Sequence, residues 1–230
     1  MRKNGYRLIS YKQYRITDLC IFAGILLLAE LTVHFAAVWL PGAALYTVSF
    51  MLPIVLAVMV RWGWPSVFFA VASAVLYCAL NRGGLTSYLV YCIGNCFVML
   101  MLLPLKFIGT DKIVAKWWRS MLFVFGGWMC VYLGRAVVWT ICYAVSPVGG
   151  VTVYAGFINF AMSDLVSLVM AAAVVLVLRR FDGMFENQKS FLSRIDKERR
   201  ERTRRDEFGD EPVEIDEDTL NILHRDDGLY

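Results

Sequence analysis

Six apolar stretches run along the chain at 17–39, 45–62, 64–81, 85–108, 117–145 and 153–178, parted by short connections and followed by about fifty mostly polar residues. A helix needs roughly 20 apolar residues to cross the hydrocarbon core of a bilayer, with about 17–25 tolerated. The stretches at 45–62 and 64–81 are the short ones, and they meet at Gly63-Trp64-Pro65. The pattern predicts an all-α integral membrane protein. Its parts are an N-terminal segment at 1–16, a six-transmembrane-helix bundle at 17–180, a charged helix at 181–208 and an acidic tail at 209–230 expected to be disordered.

Composition sharpens this division. Hydrophobic residues make up 59% of the chain and mean hydropathy is +0.57 despite the polar tail. Residues 1–180 hold 14 Lys and Arg against 4 Asp and Glu, whereas 181–230 hold 9 against 15. The net +4 therefore averages a basic membrane part and an acidic tail, and gives no reason to expect a nucleic-acid partner. Positive charge gathers ahead of the first stretch (Arg2, Lys3, Arg7, Lys12, Arg15), at Arg61, and between the fourth and fifth (Lys106, Lys112, Lys116, Arg119). The opposite connections hold only Arg82. Cytoplasmic loops carry the excess of Lys and Arg, so a multi-pass protein of the cell membrane with both termini cytoplasmic is expected. Trp62, Trp64, Trp117 and Trp118 fall at the cytoplasmic boundaries, as an aromatic belt would.

Candidate chemistry is sparse. All six cysteines lie in the apolar stretches, and Cys92 with Cys96, one helical turn apart, lacks the further ligands a zinc site needs. No phosphate-binding Gly-rich loop and no His-Glu-x-x-His is present, so no nucleotide, metal or other cofactor is expected, and ATP, if used, belongs to a partner. The tail from Glu186 to Glu207 has helical composition, with Phe185, Leu192 and Ile195 along one side among dense charge. It fits either a solvated helix held by ion pairs or one lying on anionic headgroups or a partner. Leu220-Asn221-Ile222-Leu223 is a candidate docking motif.

Ionisable residues inside a span are costly unless they pair or line a cavity. Here they are Glu30 and His34 on the first stretch, Arg135 on the fifth and Asp164 on the sixth, with Asp18 at the first stretch's cytoplasmic edge. In the expected orientation Glu30, Arg135 and Asp164 all lie about 13–17 Å below the outer surface, at 1.5 Å per residue. Asn95 falls at a similar depth, with Tyr91 and Tyr88 one and two turns above it. Asn159 sits five residues before Asp164, about 140° around the helix. Together these side chains sketch a polar and aromatic pocket open outward and fit for one small molecule. Arg135 with Asp164, and Glu30 with His34, are equally readable as structural pairs, Asn95 as interhelical glue, and Tyr88 and Tyr91 as belt residues.

The run Tyr46-Thr47-Val48-Ser49-Phe50-Met51-Leu52-Pro53-Ile54-Val55-Leu56-Ala57 leads into Arg61-Trp62-Gly63-Trp64-Pro65 and a second helix of small residues. Asn159-Phe160-Ala161-Met162-Ser163-Asp164-Leu165-Val166 opens the last stretch, and Arg179-Arg180 closes it. Over about 17–180 this arrangement resembles the substrate-binding S components of energy-coupling factor (ECF) transporters. The resemblance implies capture of a vitamin or similar micronutrient in an outward-facing pocket. It also implies association with a coupling membrane subunit and a pair of ABC-type ATPases, and no catalysis by this chain. Where that family carries an Ala-x-x-x-Ala stripe for the coupling subunit, this chain has Cys20-x-x-x-Gly24, which the resemblance assigns to partner docking. The long charged tail departs from the family pattern. The competing expectation is a non-transporting six-span scaffold, similar to the rod-shape membrane component of cell-wall synthesis, which docks partners through that tail. An enzyme built on Glu30, His34 and Asp164 would lack a metal or nucleophile to complete it.

Overall fold

A computed structural model describes residues 11–39, 49–145, 153–181 and 183–208, and among these the chain is all-helical with no strand. The expectations for the first outer connection, for the N-terminal basic residues up to Arg7 and for the acidic tail from Gly209 onward lie outside the described residues. The helices are α1 (Tyr11–Trp39), α2 (Met51–Trp62), α3 (Ser66–Leu80), α4 (Leu85–Cys96), α5 (Leu102–Ile108), α6 (Thr110–Ala115), α7 (Trp117–Val145), α8 (Val153–Leu178) and α9 (Gln188–Phe208). Among the described residues three segments are long and apolar enough to cross a membrane: Tyr11–Trp39, Leu85–Ile108 and Trp117–Val145.

The helix without a polar face is the one at the centre. Met51 to Arg61 of α2 are all buried, because a helix that is apolar all round gains only by being enclosed. α1, α3, α7 and α8 pack around it. Pro53 sits in its first turn, where the missing N–H costs no helical bond. Gly63 ends it with φ of +72°, a conformation that favours glycine, and the chain turns through Trp64-Pro65 into α3.

The stretch expected as one span at 85–108 is interrupted. Phe97–Met101 forms a 3₁₀ turn between α4 and α5, and the chain then adds the short α6 before α7. α4 and α7 pack closely: a Cβ on Gly94 would stand 2.8 Å from Arg135 Cα, and one on Gly134 would stand 2.5 Å from Gly94 O. Small residues at such a crossing let two backbones approach, which is how helices associate where no hydrophobic driving force separates them from lipid.

Two expectations change at the bundle's basic end. Arg61 is not a loop charge but is 4% exposed, and Asp18 is not merely interfacial. Arg61 forks onto Asp18 through Nε (3.0 Å) and Nη2 (2.7 Å), while its Nη1 donates to Gly183 O (2.7 Å) and Met184 O. Trp62 Nε1 also donates to Asp18. Phe185, expected on the tail helix, instead lies buried in the core, and the fully buried Gln188 donates to Gly183 O and accepts from Tyr14. The helix after it begins later than its composition suggests. From Lys189 the chain is a separate compact unit, whose α9 carries an exposed Arg200–Asp196 pair at i, i+4.

Candidate functional site

Five elements bring polar side chains to one place inside the bundle. α7 supplies Arg135 and α8 supplies Asp164. α4 supplies Tyr91 and Asn95, four apart and so on one face; α3 supplies Ser73 and Tyr77 at the same spacing. Ser49 arrives from the residues just ahead of α2. With Ala74 these residues line a small space.

Arg135 is the hub. Its Nη1 donates to both Asp164 carboxylate oxygens, at 2.8 and 2.6 Å, and its Nε donates to Asn95 Oδ1 at 2.9 Å. The Tyr91 ring lies 4.7 Å from the guanidinium carbon, a cation–π distance, and Tyr77 packs on Tyr91 at 4.8 Å between centroids. Among the described residues Nη2 makes no hydrogen bond. The groups around the hub are themselves held in place. Asn95 Nδ2 reaches Ala70 O at 3.4 Å, and Trp128, stacked on Tyr132, donates to the backbone carbonyl of Asp164. Arg135 is 6% exposed, and Asp164 likewise. Such burial of a charge is tolerated only with this density of partners.

Glu30 stands one layer behind. One of its oxygens accepts from Ser49 Oγ (2.7 Å) and Ser73 Oγ (3.0 Å), the two serines on the cavity wall. Ser49 Oγ in turn accepts from the Met51 N–H, and the Ser49 N–H donates to Ser167 Oγ. Two acidic groups thus serve the cavity, Asp164 on its lining and in contact with Arg135, and Glu30 behind it through the serines.

The other expected site residues fall elsewhere. His34 lies partly exposed one turn beyond Glu30, edge-on to Phe35 at 5.8 Å. Tyr88 is half-buried and does not line the cavity. Asn159 lies on α8, with its side chain outside the described residues. Cys20 and Gly24 are exposed on α1, and a Cβ on Gly24 would meet nothing within 4 Å. Ser49, Ser73, Tyr77 and Trp128 were not anticipated. Their signal in the sequence was a hydroxyl or N–H in an otherwise apolar run, which such residues usually spend on a neighbouring helix.

The cavity measures about 10 Å³, enough for the centre of one water. That is smaller than the small-molecule pocket the residue pattern suggested, because Asp164, Asn95 and Tyr91 themselves fill the space around the guanidinium. No family model matches the chain, and no curated protein or solved structure is similar to it.

Proposed function

We propose that this chain is the substrate-binding subunit of an ATP-driven uptake system of the ECF kind. In this reading the bundle spans the membrane six times with both termini cytoplasmic, and the Arg135 cluster recognises a vitamin-like ligand. The observation that carries it is a buried guanidinium with one edge on Asp164, its Nε on Asn95, one face on Tyr91, and the Nη2 donors unspent among the described residues. A planar fork of that kind suits a ligand carboxylate or carbonyl. Asp164 acts as the resident counter-charge, while Ser49, Ser73 and Tyr77 offer hydroxyls to the same space. A ligand larger than water enters only when these walls part, so binding is coupled to movement of α3, α4 and α8 against α7. On α1, Cys20 and Gly24 sit among the exposed Ile21, Ile25 and Leu28, an uncovered apolar face of small relief on which a coupling membrane subunit would dock. The ATPases would be recruited by that subunit.

A second reading, the non-transporting scaffold, is favoured by the size of the cavity: the cluster is already charge-matched, as a purely structural clamp would be. One experiment separates the two. Thermal unfolding of the purified protein is followed against a panel of vitamins and nucleobases, in the wild type and in Arg135→Met/Asp164→Leu. Replacing a buried ion pair by apolar residues of similar size is often neutral or stabilising, so the double variant is expected to fold. The uptake reading expects one compound to raise the wild-type melting temperature and to leave the double variant unmoved. A panel without effect, or an equal shift in both proteins, would leave the cluster structural and the scaffold standing.

A further inference from the structure

We infer that the wedge between α5 and the start of α7 is a binding site for one anionic phospholipid. The inference rests on the membrane-spanning orientation, in which residues 102–119 lie at the cytoplasmic face of the bilayer, and is independent of what the Arg135 cluster binds. α7 packs closely on the 3₁₀ turn, where a Cβ on Gly126 would stand 2.9 Å from Met101 Cε. Below that point α5 and α7 part. The short α6 fills the gap at the far end, fixed there by Ser120 Oγ on Ile113 O (3.0 Å) and by Arg179 Nη2 on Val114 O (2.9 Å).

What remains is a groove of about 410 Å³, within the range that holds small ligands. Its walls are Met101 from the 3₁₀ turn and Pro104 and Ile108 from α5, facing Leu122 and Phe123 from α7. These are the surfaces an acyl chain would occupy. Its mouth carries Lys112, Trp118 and Arg119. Arg119 is held there, with Nη1 on Lys112 O at 3.2 Å and its guanidinium 5.3 Å from the Trp118 ring centroid. Two cations and an indole at one end of an apolar slot complement a phosphodiester above an acyl chain, and no acidic side chain lines the groove to oppose it. A free phosphate would use the cations but not the slot. A neutral lipid would use the slot but not the cations.

The test is lipid retention by the full-length protein, measured by native mass spectrometry after extraction in mild detergent and titration with phosphatidylglycerol or phosphatidylcholine. The wild type is expected to keep one phosphatidylglycerol in preference to phosphatidylcholine. Lys112→Gln/Arg119→Gln is expected to bind it about thirtyfold more weakly, since each basic group at the surface contributes on the order of a factor of five. Lys106→Gln/Lys116→Gln removes the same charge outside the groove and is expected to retain the lipid. Leu122→Trp, which fills the slot and leaves the cations, is expected to lose it. Equal retention of the two lipids by the wild type, equal loss in both charge variants, or displacement of the lipid by inorganic phosphate would overturn the assignment.

Discussion

Two arginines show how differently the same residue type is placed inside this bundle. Arg61 and Asp18 form a closed ion pair in which the carboxylate receives Arg61 Nε, Arg61 Nη2 and Trp62 Nε1. The remaining Arg61 nitrogen ties down the carbonyls of Gly183 and Met184. α1, α2 and the chain leaving α8 are thereby fastened at one point, and the cation is covered further by the Phe22 ring at 5.4 Å. Asp18→Asn keeps the shape but removes the charge and turns an amide N–H toward donors that need an acceptor. Breaking a buried pair from one side costs about 3–5 kcal/mol. Thermal or urea unfolding in detergent should show a loss of that order, with faster proteolysis between residues 183 and 188. A loss below about 1 kcal/mol would mean that Arg61 finds other partners and that Asp18 is peripheral. Arg135 shares the burial, but its Nη2 is uncommitted among the described residues, which is what the proposed ligand contact requires.

At the level of helices, the crossing of α4 and α7 determines where Arg135 can be. Gly94 lies directly against the Arg135 Cα and Cγ, and Gly134 against Gly94 O and Phe97. Gly134→Ala drives a methyl into backbone, which a flexible side chain cannot relieve. Overpacking of a tight interface costs about 1–3 kcal/mol, and here the helices must also separate by tenths of an ångström, pulling Nε from Asn95. Gly24→Ala, on an open face, should leave stability unchanged. Parallel melts of the two variants check this, and equal behaviour would show that the crossing is looser than drawn. The sequence foretold the elements better than their places. Apolar runs announced helices, and ionisable residues within them announced Arg135 with Asp164, because lipid leaves such groups no cheap alternative. The central position of α2 was not readable, since a helix apolar on every side has no period that points anywhere. Nor was the 3₁₀ form of the break at Phe97–Met101, although Pro104 marks its place by leaving the carbonyl of Leu100, four residues earlier, without a helical N–H. A pair of Glu30 with His34, its neighbour on the helix face, was one of the two readings the sequence left open. Glu30 bonds Ser49 and Ser73 instead, and that choice is made only when α1, α2 and α3 come together.

Taken whole, the molecule turns on which way it faces. The proposed roles of the Arg135 cluster, the exposed α1 face and the lipid wedge all depend on one orientation, which is an expectation from the unequal distribution of Lys and Arg. Burial of Arg61 removes one of the charges that support it, yet Lys106, Lys112 and Lys116 remain exposed from α5 to the start of α7, against Arg82 in the connection before α4. The segment 85–108 is the decisive one, because it separates those two groups. With α4 and α5 at 1.5 Å per residue and the 3₁₀ turn at 2.0 Å, it is about 38 Å long, more than the roughly 30 Å hydrocarbon core. Single cysteines in a background lacking the six native ones report the sides directly. Gly84→Cys, where a Cβ meets nothing within 4 Å, should react with a membrane-impermeant maleimide on intact cells. Lys116→Cys and Lys197→Cys, at exposed positions, should react only after permeabilisation. The reversed pattern would turn the cluster toward the cytoplasm and end the uptake reading. Reaction of Gly84→Cys and Lys116→Cys from the same side would mean that 85–108 does not cross the bilayer, and six spans would fall with it.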